Sequence, residues 1–244
     1  MRRLIDIMAS FIGLLVLSPV LAVFCLLVWL QDFHGPFYIA PRVGRDGRSF
    51  RMVKLRSMVI GADKVGSSSG NDDRRITWVG RLIRKCKLDE FTQLWNVLKG
   101  DMSLVGPRPQ VAWAVKEYTT VEQRLITVRP GITDPASVVF ADEGDILTGA
   151  ADADLLYSQI IRPWKSRMAL MYVEHGGVGS YLRMILATLV GAVSRQTALG
   201  MVHRQLQCWG ADEVVLRVAL RQGPPPAAPP PGAEAVISSI NRTM

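Results

Sequence analysis

Between Lys87 and Pro109 the chain reads KLDEFTQLWNVLKGDMSLVGPRP. Adjacent carboxylates, Asp89 and Glu90, stand at the start of an amphipathic helix, and the stretch closes in a Pro107-Arg108-Pro109 corner. Carboxylates flanked by fixed cations are the equipment of a metal-assisted phosphate reaction. A carboxylate can attack phosphorus or hold a divalent cation, and arginine meets phosphate oxygens with a two-pronged fork. Prolines on both sides restrict the backbone that presents Arg108.

The same residues admit a plainer reading. Phe91, Leu94, Trp95 and Leu98 recur at i, i+3, i+4 and i+7, one apolar stripe, and Gly100 is a natural stop. Asp89 then falls near the N-cap, with Glu90 favouring the helix dipole. Position alone favours the cap. The two roles are compatible, because the N-terminal field lowers a carboxylate pKa and keeps it ionised, as a nucleophile or metal ligand must be.

Elements before this stretch supply cations. The runs FYIAPRV and RSFRMVKL flank Gly44-Arg45-Asp46-Gly47 and predict a β-hairpin. Its Arg42, Arg45, Arg48 and Arg51 could meet lipid headgroups or substrate phosphates; at the tip, Arg45 and Arg48 fit simple solvation better. Lys54-Leu55-Arg56-Ser57-Met58 is a second basic cluster. Gly61 to Asp73 is expected to be a mobile loop, and Arg75 to Arg84 has helical spacing of Ile76, Val79, Leu82 and Ile83.

After Pro109, Arg129-Pro130-Gly131-Ile132-Thr133-Asp134-Pro135 is turn-rich. Leu155 to Val173 reads as helix apart from Pro163, and its Arg162, Trp164, Lys165 and Arg167 suit a membrane interface. Met184 to Val193 is apolar but too short to span, so it is either interfacial or buried. GPPPAAPPPGAEA, after about Arg221, is expected to form a disordered tail.

Phe11 to Leu30 holds twenty uncharged residues, enough to cross a bilayer core. A cleaved leader is the weaker reading, since its apolar core would be shorter. Pro19 lies near the middle, where it favours a kink. Arg2 and Arg3 precede the segment, and between Arg42 and Arg108 there are fifteen Lys/Arg against seven Asp/Glu. Both ends therefore favour the cytoplasmic side. A helix broken at Ser18-Pro19 that dips in and returns satisfies this; an ordinary kinked spanning helix is the alternative.

Over all 244 residues, 29 Lys+Arg against 21 Asp+Glu give a formal charge of +8, which suits anionic partners. Nucleic acid is not expected among them, because the few aromatics lie mostly on apolar stripes rather than on a stacking platform. Cys25, Cys86 and Cys208 form no CxxC pair and read as free thiols in a reducing compartment.

From Arg2 to Val193 these features together resemble the bacterial sugar transferases, the monotopic phosphoglycosyl transferases. The ordered series runs through Asp6, Ser18-Pro19, Gly35-Pro36, Arg42-x-Gly44-x-x-Gly47-x-x-Phe50, Lys54-x-Arg56-Ser57-Met58 and Gly80-x-x-Ile83-Arg84. It continues through Leu88 to Pro109 and closes at Arg129-Pro130-Gly131-Ile132-Thr133.

The resemblance implies a helix-rich α/β fold in three parts. A re-entrant membrane helix hairpin occupies 1–34, and a small cytoplasmic catalytic domain with a β-hairpin and amphipathic interfacial helices occupies 35–195. A C-terminal extension follows at 196–244. It further implies a bacterial inner-membrane enzyme that transfers a phosphosugar from a UDP-sugar to polyprenyl (undecaprenyl) phosphate and releases UMP. In such an enzyme Asp89 is the nucleophile, Glu90 its metal partner or proton acceptor, and Mg²⁺ the metal held by Asp89 and Glu90. Arg84, Arg108, Lys54 and Arg56 would hold phosphates, while Ser18, Pro19, Pro107 and Pro109 shape the backbone. A homodimer is compatible with it.

Two departures stand out: Thr92 where the family usually has proline, and Asp134 to Val138, a minority version of that region that bears on sugar choice. The likeness is to the small form of the family. A scaffold that keeps the fold without catalysis is the rival reading, and retention of Asp89, Glu90 and Arg108 argues against it.

Overall fold

The computed structural model describes residues 1–62, 70 and 72–240. The loop expected over Gly61 to Asp73 lies mostly outside the described residues.

The chain opens with α1 (Arg2–Asp32), a 31-residue helix with Pro19 inside it. It is the one helix among the described residues long and apolar enough to cross a membrane. The break expected at Ser18-Pro19 does not occur, and its neighbour explains why. Pro19 has no N–H to give the carbonyl four residues back, which is that of Leu15. Ser18 Oγ donates to the Leu15 carbonyl at 2.8 Å and fills the gap.

β1 (Phe37–Val43) and β2 (Ser49–Leu55) form the expected antiparallel hairpin, from Phe37 opposite Leu55 to Val43 opposite Ser49. The turn is tight, with Asp46 at φ 57° and Gly47 at φ 76°. α2 (Trp78–Lys85) follows, with Thr77 Oγ1 accepting the Gly80 amide at its start.

The stripe expected as one helix from Phe91 to Leu98 is split into α3 (Leu88–Phe91) and α4 (Leu94–Lys99). The buried Thr92 lies between them, and its hydroxyl lies 3.0 Å from the Asp89 carbonyl and 3.1 Å from that of Val53 on β2. Asn96, fully buried, docks α4 onto β2 by accepting the Val53 amide at 2.9 Å and donating to the Arg51 carbonyl at 2.8 Å. Asn96 rather than an apolar side chain thus sets the inner face. Leu94 and Val97 are buried with it, whereas Phe91 and Trp95 are exposed.

β3 (Ser103–Val105) runs parallel to β4 (Gly131–Thr133), and between them lie α5 (Ala112–Lys116) and a 3₁₀ turn at Glu122–Thr127. The strands close tightly: a Cβ on Gly131 would lie 2.1 Å from the Gly106 nitrogen. This contact fixes where the Pro107-Arg108-Pro109 corner begins.

α6 (Pro135–Val139) follows, capped by Asp134, and then α7 (Glu143–Ile146) and α8 (Ala153–Leu156). A π-helical turn at Tyr157–Ile161 leads into α9 (Arg162–His175), where Pro163 occupies the first turn. α10 (Val178–Gly191), α11 (Arg195–Cys208) and α12 (Glu213–Leu220) complete the order. The main core joins α6 and α9 to α12, with Ile161, Met168, Tyr181, Met184, Val202 and Leu206 fully buried.

Two expectations change here. α10 is only half buried: Met184 and Ala187 face the core while Leu182, Leu186 and Leu189 are exposed. The proline-rich tail is bound rather than disordered. Trp164 Nε1 donates to the Pro226 carbonyl at 2.8 Å, Arg167 Nη1 to that of Pro229 at 3.0 Å, and Gln159 Nε2 to that of Ile237 at 2.8 Å. Among its described residues, up to 240, the tail has no helix or strand of its own. Fixed proline φ angles favour an extended chain whose carbonyls remain free for side-chain donors.

Both ends of α1 are fastened to this one body. Near its start, buried Asp6 accepts the Leu104 amide at 2.9 Å, is hydrogen-bonded by the Ser103 hydroxyl and accepts from the Tyr181 hydroxyl. Arg3 donates to the Val97 and Leu98 carbonyls. At its far end, Asp32 pairs with Arg56 and Val28 is buried among Leu55, Val79, Ile83 and Leu88.

Candidate active site

Lys87, at φ 53°, turns the chain sharply between α2 and α3. That turn brings Arg84, in the last turn of α2, toward Asp89, in the first turn of α3. β2 contributes Lys54, β1 contributes Arg42, and the corner after β3 contributes Arg108. All of these side chains, with Glu90, line one cavity of about 560 Å³, within the range of ordinary small-molecule sites. Pro107 and Pro109 line it as well.

Asp89 does not cap its helix; the residue at the cap is Lys87, with no side-chain bond. Lys54 Nζ stands 3.8 Å from Asp89 Oδ2. Burial pushes the Asp89 carboxyl up, opposed by Lys54, Arg108 and Arg84. The expectation that a helix field lowers it is therefore corrected: the nearby cations oppose a desolvation that outweighs them. Burial likewise pulls Lys54 down, as do Arg108 and Arg42.

Glu90 is held differently. Burial alone would raise it, but Arg108, with Lys54 and Lys87, outweighs burial and brings it to about 2. Arg108 Nη2 donates to Glu90 Oε1 at 2.8 Å. Glu90 and Arg108 thereby hold one another at the cavity lining.

Arg84 lines the cavity and donates from Nε to Ser57 Oγ at 3.2 Å. Arg56 is the exception among the expected phosphate ligands. Its guanidinium is buried on Asp32, with further bonds to the carbonyls of Gly35 and His34. It fastens the end of α1 to β2 and lies outside the cavity lining. Ser18 and Pro19 are likewise remote from the cavity, on α1.

Another part of the lining was not legible in the sequence as part of a site. Glu143 of α7 pairs with Lys165 of α9, and Lys165 Nζ lies 5.5 Å from the Tyr157 ring centroid. Tyr157 OH lies 3.5 Å from Gln110 Nε2. All four residues line the cavity. Lys165, expected at a membrane interface, is thus a cavity residue, and its neighbours Arg162 and Trp164 are buried. Twenty-two residues of sequence separate Glu143 from Lys165, so no local spacing could announce the pair.

For a metal, the described residues contain no group of three or more His, Cys, Asp or Glu side chains that could hold one. Asp89 and Glu90 still fit a magnesium site of the open kind. Such sites take one or two carboxylates and complete the shell with substrate phosphates and water, and a cation would offset the burial that raises Asp89.

A model of the bacterial sugar transferase family matches residues 1–195. The chain belongs to that family. Among curated relatives, a putative undecaprenyl-phosphate N-acetylgalactosaminyl 1-phosphate transferase of Bacillus subtilis is 44% identical over 110 residues, covering 45% of this chain and 62% of its own length. A UDP-N-acetylgalactosamine-undecaprenyl-phosphate N-acetylgalactosaminephosphotransferase of Aeromonas hydrophila is 36% identical over 170 residues, covering 67% and 40%. An undecaprenyl-phosphate galactose phosphotransferase of Salmonella typhimurium is 39% identical over 152 residues, covering 54% and 31%. The chain thus matches between about a third and three-fifths of the length of these relatives.

Proposed function

We propose that this family member transfers a phosphosugar from a UDP-sugar to undecaprenyl phosphate with release of UMP, opening the assembly of a surface glycan such as an exopolysaccharide. The observation that carries the proposal is the partly buried carboxylate of Asp89, 3.8 Å from Lys54, in a cavity that Arg42, Arg84 and Arg108 also line. A carboxylate nucleophile approaching a diphosphate meets repulsion, and preorganised cations offset it where the transition-state charge gathers.

An Asp89 oxygen attacks the phosphorus bearing the sugar, and the bond from that phosphorus to the bridging oxygen breaks. UMP leaves with that oxygen, and an aspartyl phosphosugar remains. An oxygen of the lipid phosphate then attacks the same phosphorus, forming a diphosphate-linked sugar and freeing the Asp89 carboxylate. The covalent intermediate divides one difficult transfer into two steps. Glu90 keeps Arg108 in place throughout. Asp89 and Glu90 would hold Mg²⁺, which when bound supplies positive charge to the diphosphate.

The same reading seats the domain on the cytoplasmic face of the inner membrane, with both ends of α1 on that face. Its support is the fastening of both ends of α1 to one domain, through Asp6 and through Arg56. The surface carries exposed Trp78, Phe91, Trp95, Val59 and Ile60, an apolar set suited to a lipid interface.

The test is turnover. Membranes containing the protein, given undecaprenyl phosphate and a panel of UDP-sugars, release UMP with at least one sugar, and Asp89→Asn abolishes it. Absence of UMP with every sugar, or full activity of Asp89→Asn, overturns the proposal.

A further inference from the structure

The cavity lining is chemically mixed. Around Asp89 and Glu90 it gathers the cations Arg42, Lys54, Arg84, Lys87 and Arg108. That cluster suits phosphates. Elsewhere in the lining Glu143 is paired with Lys165, with Tyr157 beside the amine and Gln110 beside Tyr157. A charge-paired set of donors and acceptors suits a neutral polyol.

We propose that Glu143, Lys165 and Tyr157 form the subsite that reads the sugar, Glu143 accepting from its hydroxyl groups while Lys165 and Tyr157 donate to them. The inference rests on the reading of the cavity as a phosphosugar-transfer site.

Valence permits it. Glu143 gives Lys165 one oxygen, Oε2, and a carboxylate has further lone pairs. An ammonium has three N–H groups, of which the Glu143 pair uses one. The protonation states are the required ones. Burial pulls Lys165 down, but Glu143 and Tyr157 outweigh it and keep the amine charged. Burial pushes the Tyr157 phenol up, so it remains a donor.

Position selects the sugar over the nucleobase. In a nucleotide sugar, the sugar is bonded to the phosphorus that Asp89 attacks, whereas the base lies beyond a second phosphate and a ribose. Glu143 feels the charges of Arg108 and Lys54, and Arg108 feels Glu143 in return. The Glu143–Lys165 pair therefore adjoins the cations gathered around Asp89. Asp134 caps α6 through the Ser137 amide at 2.7 Å, and both residues line the same cavity. The minority segment from Asp134 to Val138 thus borders the subsite.

The experiment uses the full chain in nanodiscs, with Glu143→Gln and Tyr157→Phe, which nearly keep side-chain volume, and Lys165→Met. Titration calorimetry gives affinities for UDP and for UDP-sugars differing only at C4 or C2, and UMP release gives the matching kcat/KM ratios. The expected result is UDP affinity within about twofold of wild type, with discrimination between the epimers reduced about tenfold or more, the cost of one lost hydrogen bond to a charged group. If a variant melts earlier but keeps its discrimination, the pair is only a brace between α7 and α9 and the proposal falls. It also falls if affinity for UDP drops in parallel, since the subsite then reads the nucleotide. A wild-type protein that neither binds UDP-sugars nor releases UMP overturns the transfer reaction itself, an outcome distinct from unchanged discrimination in an active enzyme.

Discussion

Lys54 Nζ lies 3.8 Å from Asp89 Oδ2, and burial destabilises both charges. Each is the nearest compensation the other has. Removing the cation in Lys54→Met leaves a partly buried carboxylate with less opposing charge, so its pKa rises further above the ordinary aspartate value. In the proposed mechanism the ionised form is the nucleophile, so activity should be lost as pH falls through that pKa. The variant should lower kcat/KM at neutral pH by about 10²-fold and move the acid limb of the pH profile upward. An unmoved limb would separate Lys54 from the ionisation of Asp89.

Glu90 links acid stability to the site. Its folded pKa, about 2, lies below the unfolded value of 4.5. Its contribution to stability is therefore complete above pH 4.5 and fades as the pH falls toward 2. Glu90→Gln removes that contribution and leaves Arg108 without its anionic partner. Acid titration followed by circular dichroism should show wild type and variant converging as the pH drops. Activity falls as well, because Arg108 is no longer held.

The close approach of Gly106 and Gly131 predicts a sharp steric limit. A Cβ on Gly131 would meet the Gly106 nitrogen at 2.1 Å, backbone against backbone, where nothing can swing aside. Gly131→Ala should cost about 1–3 kcal/mol or more, read as a lowered thermal midpoint. It should also displace the corner that carries Arg108.

The proline strap predicts an effect of truncation. Removing residues 222–244 deprives Trp164, Arg167 and Gln159 of their acceptors and uncovers α9. Such a variant should melt earlier and show increased amide exchange in α9. Equal protection with and without the strap would mean that its contacts carry no stability.

Attachment of α1 predicts its topology. Cysteines placed at residue 2 and residue 60 should both be labelled from the cytoplasmic side. Labelling of residue 2 from outside and residue 60 from inside would refute the re-entrant path.

Sequence reading succeeded where chemistry and turns are local. The hairpin from Phe37 to Leu55 and the Gly100 stop are legible from residue type and order, whereas the gathering of Lys54, Arg84 and Arg108 near Asp89 is an expectation of the family resemblance. Arg56 was misread because a basic residue beside Lys54 looks the same in sequence whether its partner is a phosphate or Asp32, twenty-four residues earlier. The apolar stripe failed for a similar reason: Asn96 and Thr92 hydrogen-bond to β2, and that pairing chose the buried face. The strap was missed because composition reports what cannot form a core of its own, not what another surface can hold. Lys165 and Glu143 meet only because the fold brings α9 to the start of α7.

One attachment has a mechanical corollary. Asp6 grips the backbone of Leu104, and Arg108 lies four residues further along the same chain. No hinge segment intervenes, since Gly106 is wedged against Gly131. The first turns of α1 and the arginine of the corner therefore move as one rigid lever. Any displacement of the first turns of α1 is therefore passed on to Arg108, as a gauge block sets a tool above a surface.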